Sequence, residues 1–295
     1  MKKIFVTGAA GYVGSHLLNA LEAEHSEVLA LIHNKKPEGT FKNVTYIEGD
    51  IRDHTTYEKS LKGVDLVVHA AALIGNDNKE LNYAIHAKGA EELVTAMKKH
   101  NVKQCIYVSS IAAGLPRRSF YADSKLKAER VLLLSGIPTT VLRYNLIIGK
   151  LSPQLEKIAG FALKLPVVPV VGSGKKKIQP IDVDTVVNVI IQAVHDETTR
   201  QRTYTISGRD AVTFNEFLDI VTEATLHKKK MKVHLPIFVC NILATLLQLA
   251  LKNPPLARGQ LILLNQDTIS SLEDLQKTFH IRPESLKEII ERSFV

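Results

Sequence analysis

Tyr121 and Lys125 are four positions apart in the segment Y-A-D-S-K. On a helix this spacing places a phenol and an ammonium group on the same face. A nearby cation stabilises a phenolate and lowers its pKa, which would make Tyr121 a general acid or base near neutral pH. Ser110 ends an apolar segment shortly before the pair and could hydrogen-bond a substrate oxygen. Most tyrosine–lysine pairs at this spacing are incidental surface neighbours, so the rest of the chain must support the catalytic interpretation.

A glycine-rich segment at the start of the chain supports it. The apolar run Ile4–Val6 is followed by Gly8, Gly11 and Gly14, and then by apolar residues at helical spacing. Three glycines between a strand and a helix are typical of a dinucleotide site, in which the pyrophosphate lies on the free N–H groups of the helix. We expect Gly8 to allow a tight turn, Gly11 to admit the pyrophosphate and Gly14 to let the helix pack on the strand.

The end of the second predicted strand, residues 28–32, indicates which dinucleotide binds. An acid at this position bonds the ribose 2′-hydroxyl of NAD, whereas cations accommodate the 2′-phosphate of NADP. The residues here are His33, Asn34, Lys35 and Lys36, with no carboxylate among them. We therefore predict NADP, with NAD as the alternative if this segment is only a polar turn.

Further apolar segments predict a parallel sheet. Strands are expected at residues 44–47, 66–68, 104–109, 139–142 and 203–206, with a helix at about 82–100 and another before residue 136. Strands that alternate with helices form a parallel sheet covered on both faces, and ligands bind at the carboxyl ends of its strands. The predicted fold class is α/β, a Rossmann-type doubly wound parallel sheet with a smaller, mostly helical C-terminal substrate-binding part.

The alternation changes after about residue 150. We expect residues 1–150 to form the NAD(P)-binding domain and residues 151–295 mainly the substrate-binding part, with residues 183–208 returning to the first domain. Helices are predicted at 183–194, 215–223, 236–251, 257–264 and 271–278, the second of them starting with a capping box of Thr213 and Glu216. The apolar segment Pro236–Leu251 is short for a membrane span. It predicts a buried or dimer-facing helix, with a membrane-surface or apolar-substrate contact as the alternative.

Composition limits the class of protein. The 295 residues carry a net charge of +8, but the lysines are dispersed. The sequence has no basic helix with interleaved aromatic residues, so we do not predict nucleic-acid binding. The two cysteines, Cys105 and Cys240, lie in apolar segments and are expected in the core, in a reducing compartment. We find no metal-ligand cluster, no signal peptide and no integral membrane segment. The expected location is the cytoplasm.

Together these motifs resemble the extended or atypical short-chain dehydrogenases/reductases, of the NAD-dependent epimerase/dehydratase type. The matching segments are Thr7–Gly14, Asp50–Asp53, His69–Ala72, Ser109–Ser110, Tyr121–Lys125 and Leu142–Gly149. The segments Gln179–Asp184 and Asn253–Leu256 resemble the branch that contains the nucleotide-binding accessory subunit of mitochondrial complex I and its bacterial relatives. Two departures, His86 in place of an Asn and Tyr144 in place of a Pro, affect the placement of the nicotinamide.

The resemblance implies a role for each matching residue. Tyr121 would be the proton donor or acceptor, Lys125 would bond the nicotinamide ribose, and Ser110 would orient the substrate carbonyl, with Ser109 as the alternative. The residues that would bind the cofactor are Gly8, Gly11, Tyr12, Val13, Gly14, His33, Asn34, Lys35, Asp50, Ile51, Ala70, Ala71, Ala72, Ser109, Lys125, Tyr144 and Ile147.

Three functions fit these observations. The first is an NAD(P)-dependent oxidoreductase that transfers hydride between nicotinamide and a carbonyl or alcohol, with Tyr121 as acid or base. The second is an NAD-dependent sugar-nucleotide epimerase or dehydratase. The third is a non-catalytic NADP(H)-binding assembly or redox-sensor protein, against which the retained Ser110, Tyr121 and Lys125 argue. The expected partner is a small-molecule substrate. A homodimer is also possible, with the apolar segment Pro236–Leu251 at its interface.

Overall fold

A computed structural model describes residues 2–37, 39–250 and 257–294. Its main sheet contains seven strands, which are β1 (Lys3–Thr7), β2 (Glu27–Ile32), β3 (Val44–Glu48), β4 (Leu66–His69), β5 (Gln104–Ser110), β6 (Thr139–Tyr144) and β11 (Arg202–Ile206). Six further strands are short, namely β7 (Ile147–Ile148), β8 (Val168–Val171), β9 (Lys177–Ile178), β10 (Ile181–Asp182), β12 (Val212–Thr213) and β13 (Lys232–Leu235).

The α-helices of the described residues connect or follow these strands. They are α1 (Tyr12–Ala23), α2 (Lys79–Tyr83), α3 (Gly89–Lys99), α4 (Phe120–Leu133), α5 (Pro153–Lys164), α6 (Val183–His195), α7 (Phe214–Leu226), α8 (Ile237–Ala250), α9 (Arg258–Leu264) and α10 (Leu286–Ser293). No helix among the described residues is both long and apolar enough to cross a membrane.

All seven strands of the main sheet run parallel, in the order β11-β6-β5-β4-β1-β2-β3. The apolar runs of β1, β4 and β5 are buried on both faces, as in a doubly wound sheet covered by helices. The predicted Rossmann-type parallel sheet is therefore confirmed. Its carboxyl ends carry the glycine loop, the loop after β4 and the Ser109–Ser110 pair.

Side chains that alternate along β1 supply two cores. Ile4 and Val6 belong to a core that includes residues of α1 and α6, whereas Phe5 belongs to a core that includes residues of α3 and α4. A third core lies outside the sheet, where residues such as Leu155 of α5 and Phe217 of α7 pack with α10. Several of its elements also line the site described below.

The structure corrects two predicted helices and adds two that were not predicted. The helix expected at 82–100 begins at Lys79 and is interrupted by a π-helical turn over Ala84–Lys88. Of the predicted helix 271–278, only a π-helical turn at Asp274–Thr278 forms. The short helix α5 and the C-terminal helix α10 were not predicted, although Ser285 and Glu288 form a capping box at the start of α10.

The capping box of Thr213 and Glu216 at the start of α7 is confirmed. The predicted apolar helix 236–251 corresponds to α8, and its last residue lies outside the described residues. Among the described side chains of α8, the buried ones are Cys240 and Ala244, which lie on one side of the helix. The other side exposes Phe238, Ile242 and Leu246, so α8 is not buried on both sides, and the dimer-facing, membrane-surface and apolar-substrate alternatives stay predictions. The segment Asn253–Leu256 also lies outside the described residues.

Candidate active site

A cleft of about 1350 Å³ opens at the carboxyl ends of the central strands. It extends from the glycine loop, past the ends of β4 and β5, to the helices of the C-terminal part. The structure brings every site residue expected from the sequence to the lining of this cleft. These residues are Gly8, Gly11, Tyr12, Val13, Gly14, His33, Asn34, Lys35, Asp50, Ile51, Ala70, Ala71, Ala72, Ser109, Ser110, Tyr121, Lys125, Tyr144 and Ile147.

The glycine loop needs glycine at two positions because neighbouring backbone fills the space of a side chain. Gly8 has a φ of +72°, and an added Cβ would lie 2.5 Å from the Ala71 nitrogen. A Cβ on Gly14 would lie 2.2 Å from the carbonyl oxygen of Gly8. Gly8 therefore brings the first loop against the loop after β4, and Gly14 seats helix α1 directly on the end of β1.

Helix α1 offers an anion site at its first turn. Gly11 is the N-cap residue and has no side chain to accept a hydrogen bond from the helix N–H groups. The first turn contains no acidic residue. Free N–H groups and the positive end of the helix dipole attract a phosphate. The residues at this end of the cleft therefore fit the pyrophosphate of a dinucleotide.

The end of β2 is electropositive. His33, Asn34 and Lys35 line the cleft here, and Asp50 faces them from the end of β3. The Asp50 carboxylate is engaged by Arg52, whose Nε donates to both carboxylate oxygens at 2.9 Å. These hydrogen bonds keep the pKa of Asp50 below its ordinary value. The negative charge of Asp50 is thus balanced by Arg52. A phosphate bound at this end of the cleft would therefore contact mainly cationic and neutral groups.

Ser110 and Tyr121 meet on the cleft wall. Their side chains are neighbours that both line the cleft, and the backbone N–H of Ala112 donates to Ser110 Oγ at 3.2 Å. The expected lowering of the Tyr121 pKa is wrong for this arrangement. Burial raises the pKa of Tyr121, and the hydrogen bond with Ser110 only partly opposes that rise.

Lys125 is 1% exposed and lies beneath the same wall. Its Nζ donates to the carbonyl oxygen of Val108 at 2.7 Å and lies 4.3 Å from the centre of the Tyr107 ring. Burial lowers the pKa of Lys125 to about 7, although Glu129 acts in the opposite direction. The ammonium group is therefore only partly charged at neutral pH.

An ion pair beneath the site fixes the elements that carry these residues. Arg143 of β6 donates to Glu129 of α4 through Nε at 2.9 Å and through Nη2 at 2.6 Å. Ser109 Oγ donates to the same carboxylate at 2.5 Å. The hydroxyl of Ser109 is thus bound to Glu129 of α4, and Ser110 is the serine that lies beside Tyr121. The sequence pattern did not indicate Glu129, whose burial and partners only the fold defines.

His86 forms a second support, which the sequence indicated only as a departure from related chains. Its Nε2 accepts from the Leu73 N–H at 3.0 Å, and its Nδ1 lies 2.7 Å from Ser124 Oγ. Ser124 in turn donates to the carbonyl oxygen of Tyr121 at 2.9 Å. Since Nε2 is the acceptor, the proton is assigned to Nδ1 and the ring is neutral. Burial agrees with this, lowering the pKa of His86 to about 2.

The edge of the His86 ring also contacts Tyr121, with 5.4 Å between ring centres. His86 therefore joins the loop after β4 to the helix that carries the proposed acid. The other departure, Tyr144, turns its side chain away from this arrangement. Its hydroxyl donates to the Val186 carbonyl at 3.3 Å within the core, so only its backbone is available to a ligand.

Asp77 fastens the loop after β4 to the C-terminal helices. Its carboxylate accepts from the backbone N–H of Gly259 at 2.9 Å and from the side chain of Gln248 at 2.7 Å. A separate cluster of potential metal-ligand type, Asp53, His54 and Glu92, lies outside the cleft lining. His54 and Glu92 are hydrogen-bonded to each other there.

Residues 4–207 match the model of the NAD dependent epimerase/dehydratase family. The chain belongs to this family. The expected enzyme class is confirmed with it, an NAD(P)-dependent oxidoreductase or epimerase/dehydratase.

Relatives of this chain include both a complex I subunit and an epimerase. The chain is 26% identical, over 93% of its length and 70% of the relative, to the mitochondrial NADH-ubiquinone oxidoreductase 40 kDa subunit of Neurospora crassa. It is 28% identical, over 79% of its length and 75% of the relative, to the N-acetyl-alpha-D-glucosaminyl-diphospho-ditrans,octacis-undecaprenol 4-epimerase of Escherichia coli O157:H7. These likenesses confirm the resemblance to both the complex I branch and the bacterial epimerases.

Among solved structures, the Bordetella bronchiseptica enzyme WbmH in complex with NAD+ has the same fold. The TM-score is 0.77 at 22% identity, and the match covers 99% of this chain and 97% of that one.

Proposed function

We propose that this member of the family is an NADP-preferring oxidoreductase that interconverts a carbonyl and an alcohol. One observation carries the proposal: Ser110, Tyr121 and Lys125 line the same cleft as the uncapped N-terminus of α1. A bound nicotinamide cofactor would supply or accept the hydride at the substrate carbon. With this we propose that residues 1–150 and 183–208 hold the cofactor, and that the remainder of 151–295 mainly holds the substrate.

The chain's own residues then handle the proton and the orientation. In the reducing direction, the Tyr121 hydroxyl donates its proton to the substrate oxygen as the carbon accepts hydride. Ser110 donates a hydrogen bond to the same oxygen and polarises the carbonyl. Because its pKa is not lowered below the ordinary value, Tyr121 is protonated at neutral pH and can donate this proton. Lys125 and His86 hold helix α4 in the position from which Tyr121 reaches the oxygen.

The preference for NADP is supported by the charges at the end of β2. Of the described residues that line the cleft, Asp50 and Asp77 are the two carboxylates, and both are engaged within the chain. His33 lies at the position where an acid would select NAD. Both cysteines are buried and unpaired, which supports a reducing compartment such as the cytoplasm.

The first experiment titrates the protein with NADPH and NADH, followed by cofactor fluorescence. We expect tighter binding of NADPH, and His33→Asp should weaken NADPH binding at least tenfold while NADH binding is retained. Equal affinities in the wild type would refute the NADP preference, and failure to bind either cofactor would refute the proposal as a whole.

The second experiment separates catalysis from binding. Tyr121→Phe should reduce turnover of a carbonyl substrate by about 10²–10⁴-fold, the range for loss of a general acid, with cofactor affinity unchanged. Tyr83→Phe is the matched control, because the Tyr83 hydroxyl pairs with Asp123 outside the cleft lining. Equal activity of Tyr121→Phe and Tyr83→Phe would favour a binding protein. Conversion of a sugar nucleotide with no net change in the cofactor would favour an epimerase.

A further inference from the structure

Beyond Tyr121 the cleft has a wall of different chemistry. Among the described residues, every lining residue that β8, α7, β13 and α8 contribute is apolar, whereas the adjoining helix α5 adds Gln154 and Lys157 to the lining. Representative side chains on these elements are Val170, Phe214, Leu218, Leu235 and Leu243. This wall encloses the part of the cleft that faces away from the glycine loop, so a ligand there would contact hydrocarbon on several sides.

The volume leaves room for a second ligand beside the cofactor. The cleft, at about 1350 Å³, exceeds the roughly 300–1,000 Å³ of pockets that hold one small ligand. A sugar nucleotide in the second half would bring several hydroxyl groups and two phosphates against the apolar wall. Buried polar groups without partners are strongly unfavourable, whereas a hydrocarbon would gain from the same surroundings.

The apolar surface also continues from the cleft to the outside along α8. Leu243 lines the cleft and is 40% exposed, and its sequence neighbour Ile242 is 58% exposed outside the lining. Phe238 and Leu246 extend the exposed side of the helix by one turn in each direction. A long apolar ligand could therefore extend from Tyr121 to the rim of the cleft without crossing a polar barrier on this wall.

We propose that the substrate of this site carries its carbonyl or alcohol on an apolar skeleton, either a long aliphatic chain or a fused-ring hydrocarbon. The skeleton occupies the half of the cleft bounded by β8, α7, β13 and α8, while the oxygen lies at Ser110 and Tyr121. This inference rests on the proposed oxidoreductase function for the position of the oxygen, but the apolar binding site itself is independent of turnover.

The test uses the full chain with NADPH and a series of 2-alkanones from 2-butanone to 2-dodecanone. We expect kcat/KM to rise by about fourfold for each methylene that becomes buried, until the chain reaches the rim. A fused-ring ketone of low polarity forms a parallel arm and distinguishes the two kinds of skeleton. UDP-glucose is the polar competitor and is expected to leave the rate unchanged.

Two variants of α8 form a matched pair. Leu243→Asp places a charge on the cleft wall and should flatten the dependence on chain length, whereas Ile242→Asp places the same charge outside and should preserve it. A wild-type kcat/KM that is independent of chain length would overturn the inference. So would inhibition of 2-butanone reduction by UDP-glucose at a lower concentration than by 2-dodecanone. Turnover of short ketones in that case would leave the proposed oxidoreductase function intact.

A binding assay separates the two proposals if no ketone is reduced. The fluorescent probe 1-anilinonaphthalene-8-sulfonate is bound to the wild type and then displaced with 2-dodecanone. Displacement that is lost in Leu243→Asp but kept in Ile242→Asp would support the apolar site although the proposed reaction had failed. No displacement from the wild type would refute the site.

Discussion

The buried Lys125 should make the stability of the protein depend strongly on pH, and Lys125→Met removes the group responsible. Burial lowers the pKa of Lys125 from the ordinary 10.5 to about 7. Between these two pH values the unfolded chain carries a proton on Lys125 that the folded chain has released. Because the unfolded state binds more protons there, stability rises with pH through this window.

The magnitude follows from the lowered pKa. Each pH unit inside the window is worth about 1.4 kcal/mol, so the lysine costs about 4 kcal/mol at pH 7 relative to pH 10.5. Methionine has a similar length and no charge to bury. It loses the hydrogen bond to the Val108 carbonyl, which is worth about 1 kcal/mol. We expect Lys125→Met to be more stable than the wild type by about 2–3 kcal/mol at pH 7, at the expense of turnover.

Urea unfolding at several pH values from 7 to 9.5 measures this difference. The advantage of Lys125→Met should shrink by about 1.4 kcal/mol for each pH unit, because the wild type gains stability and the variant does not. Lys127→Met is the control, since this lysine is exposed two positions further along α4. An advantage that stays constant with pH, or a variant less stable than the wild type at pH 7, would refute the argument from burial.

Three further predictions concern the supports of the site. Gly14→Ala should abolish cofactor binding and lower the melting temperature, because its Cβ would lie 2.2 Å from a backbone oxygen. Gly160→Ala is the control: its Cβ would have no neighbouring atom within 4 Å, and it should stabilise α5 by up to about 1 kcal/mol. If both alanine variants melted alike, the steric argument would fail. Glu129→Gln should cost about 3–5 kcal/mol in urea unfolding, because it leaves the guanidinium of Arg143 without its carboxylate; a loss under 1 kcal/mol would contradict that role. His86→Ala should reduce kcat by a factor about ten times larger than the factor by which it changes the affinity for the cofactor, since it frees the helix that carries the acid. An unchanged kcat in steady-state assays would exclude this positioning role.

Much of the fold could be predicted because its signals are local. The apolar runs of the strands, the three early glycines and the capping box of α7 each specify a short segment. The parallel sheet follows from their alternation. The interruption at Ala84–Lys88 was not predictable, because a π-helical turn has no strong local signal. His86, inside this turn, instead contacts the loop after β4 and helix α4, which lie elsewhere in the sequence.

The candidate site likewise contains residues that local sequence patterns indicate and others that they do not. Residue types and spacing indicated Ser110, Tyr121 and Lys125, and the structure brings all three to one cleft. The direction of the Tyr121 pKa was wrong because it depends on burial, which spacing does not reveal. The carboxylate of Glu129 was missed because its partners come from β5 and β6, distant in sequence. The apolar wall of the cleft combines elements whose proximity only the complete fold defines.

Strand β11 lies at one edge of the main sheet, although it is the last of the seven strands along the chain. This strand pairs with β6, but helices α5 and α6 lie between the two strands in the chain. The first six strands can assemble as soon as they have been synthesised, and β6 then presents an unpaired edge until Arg202–Ile206 emerges. Such an edge invites pairing with another chain. We expect aggregation during synthesis to be greatest before β11 has docked.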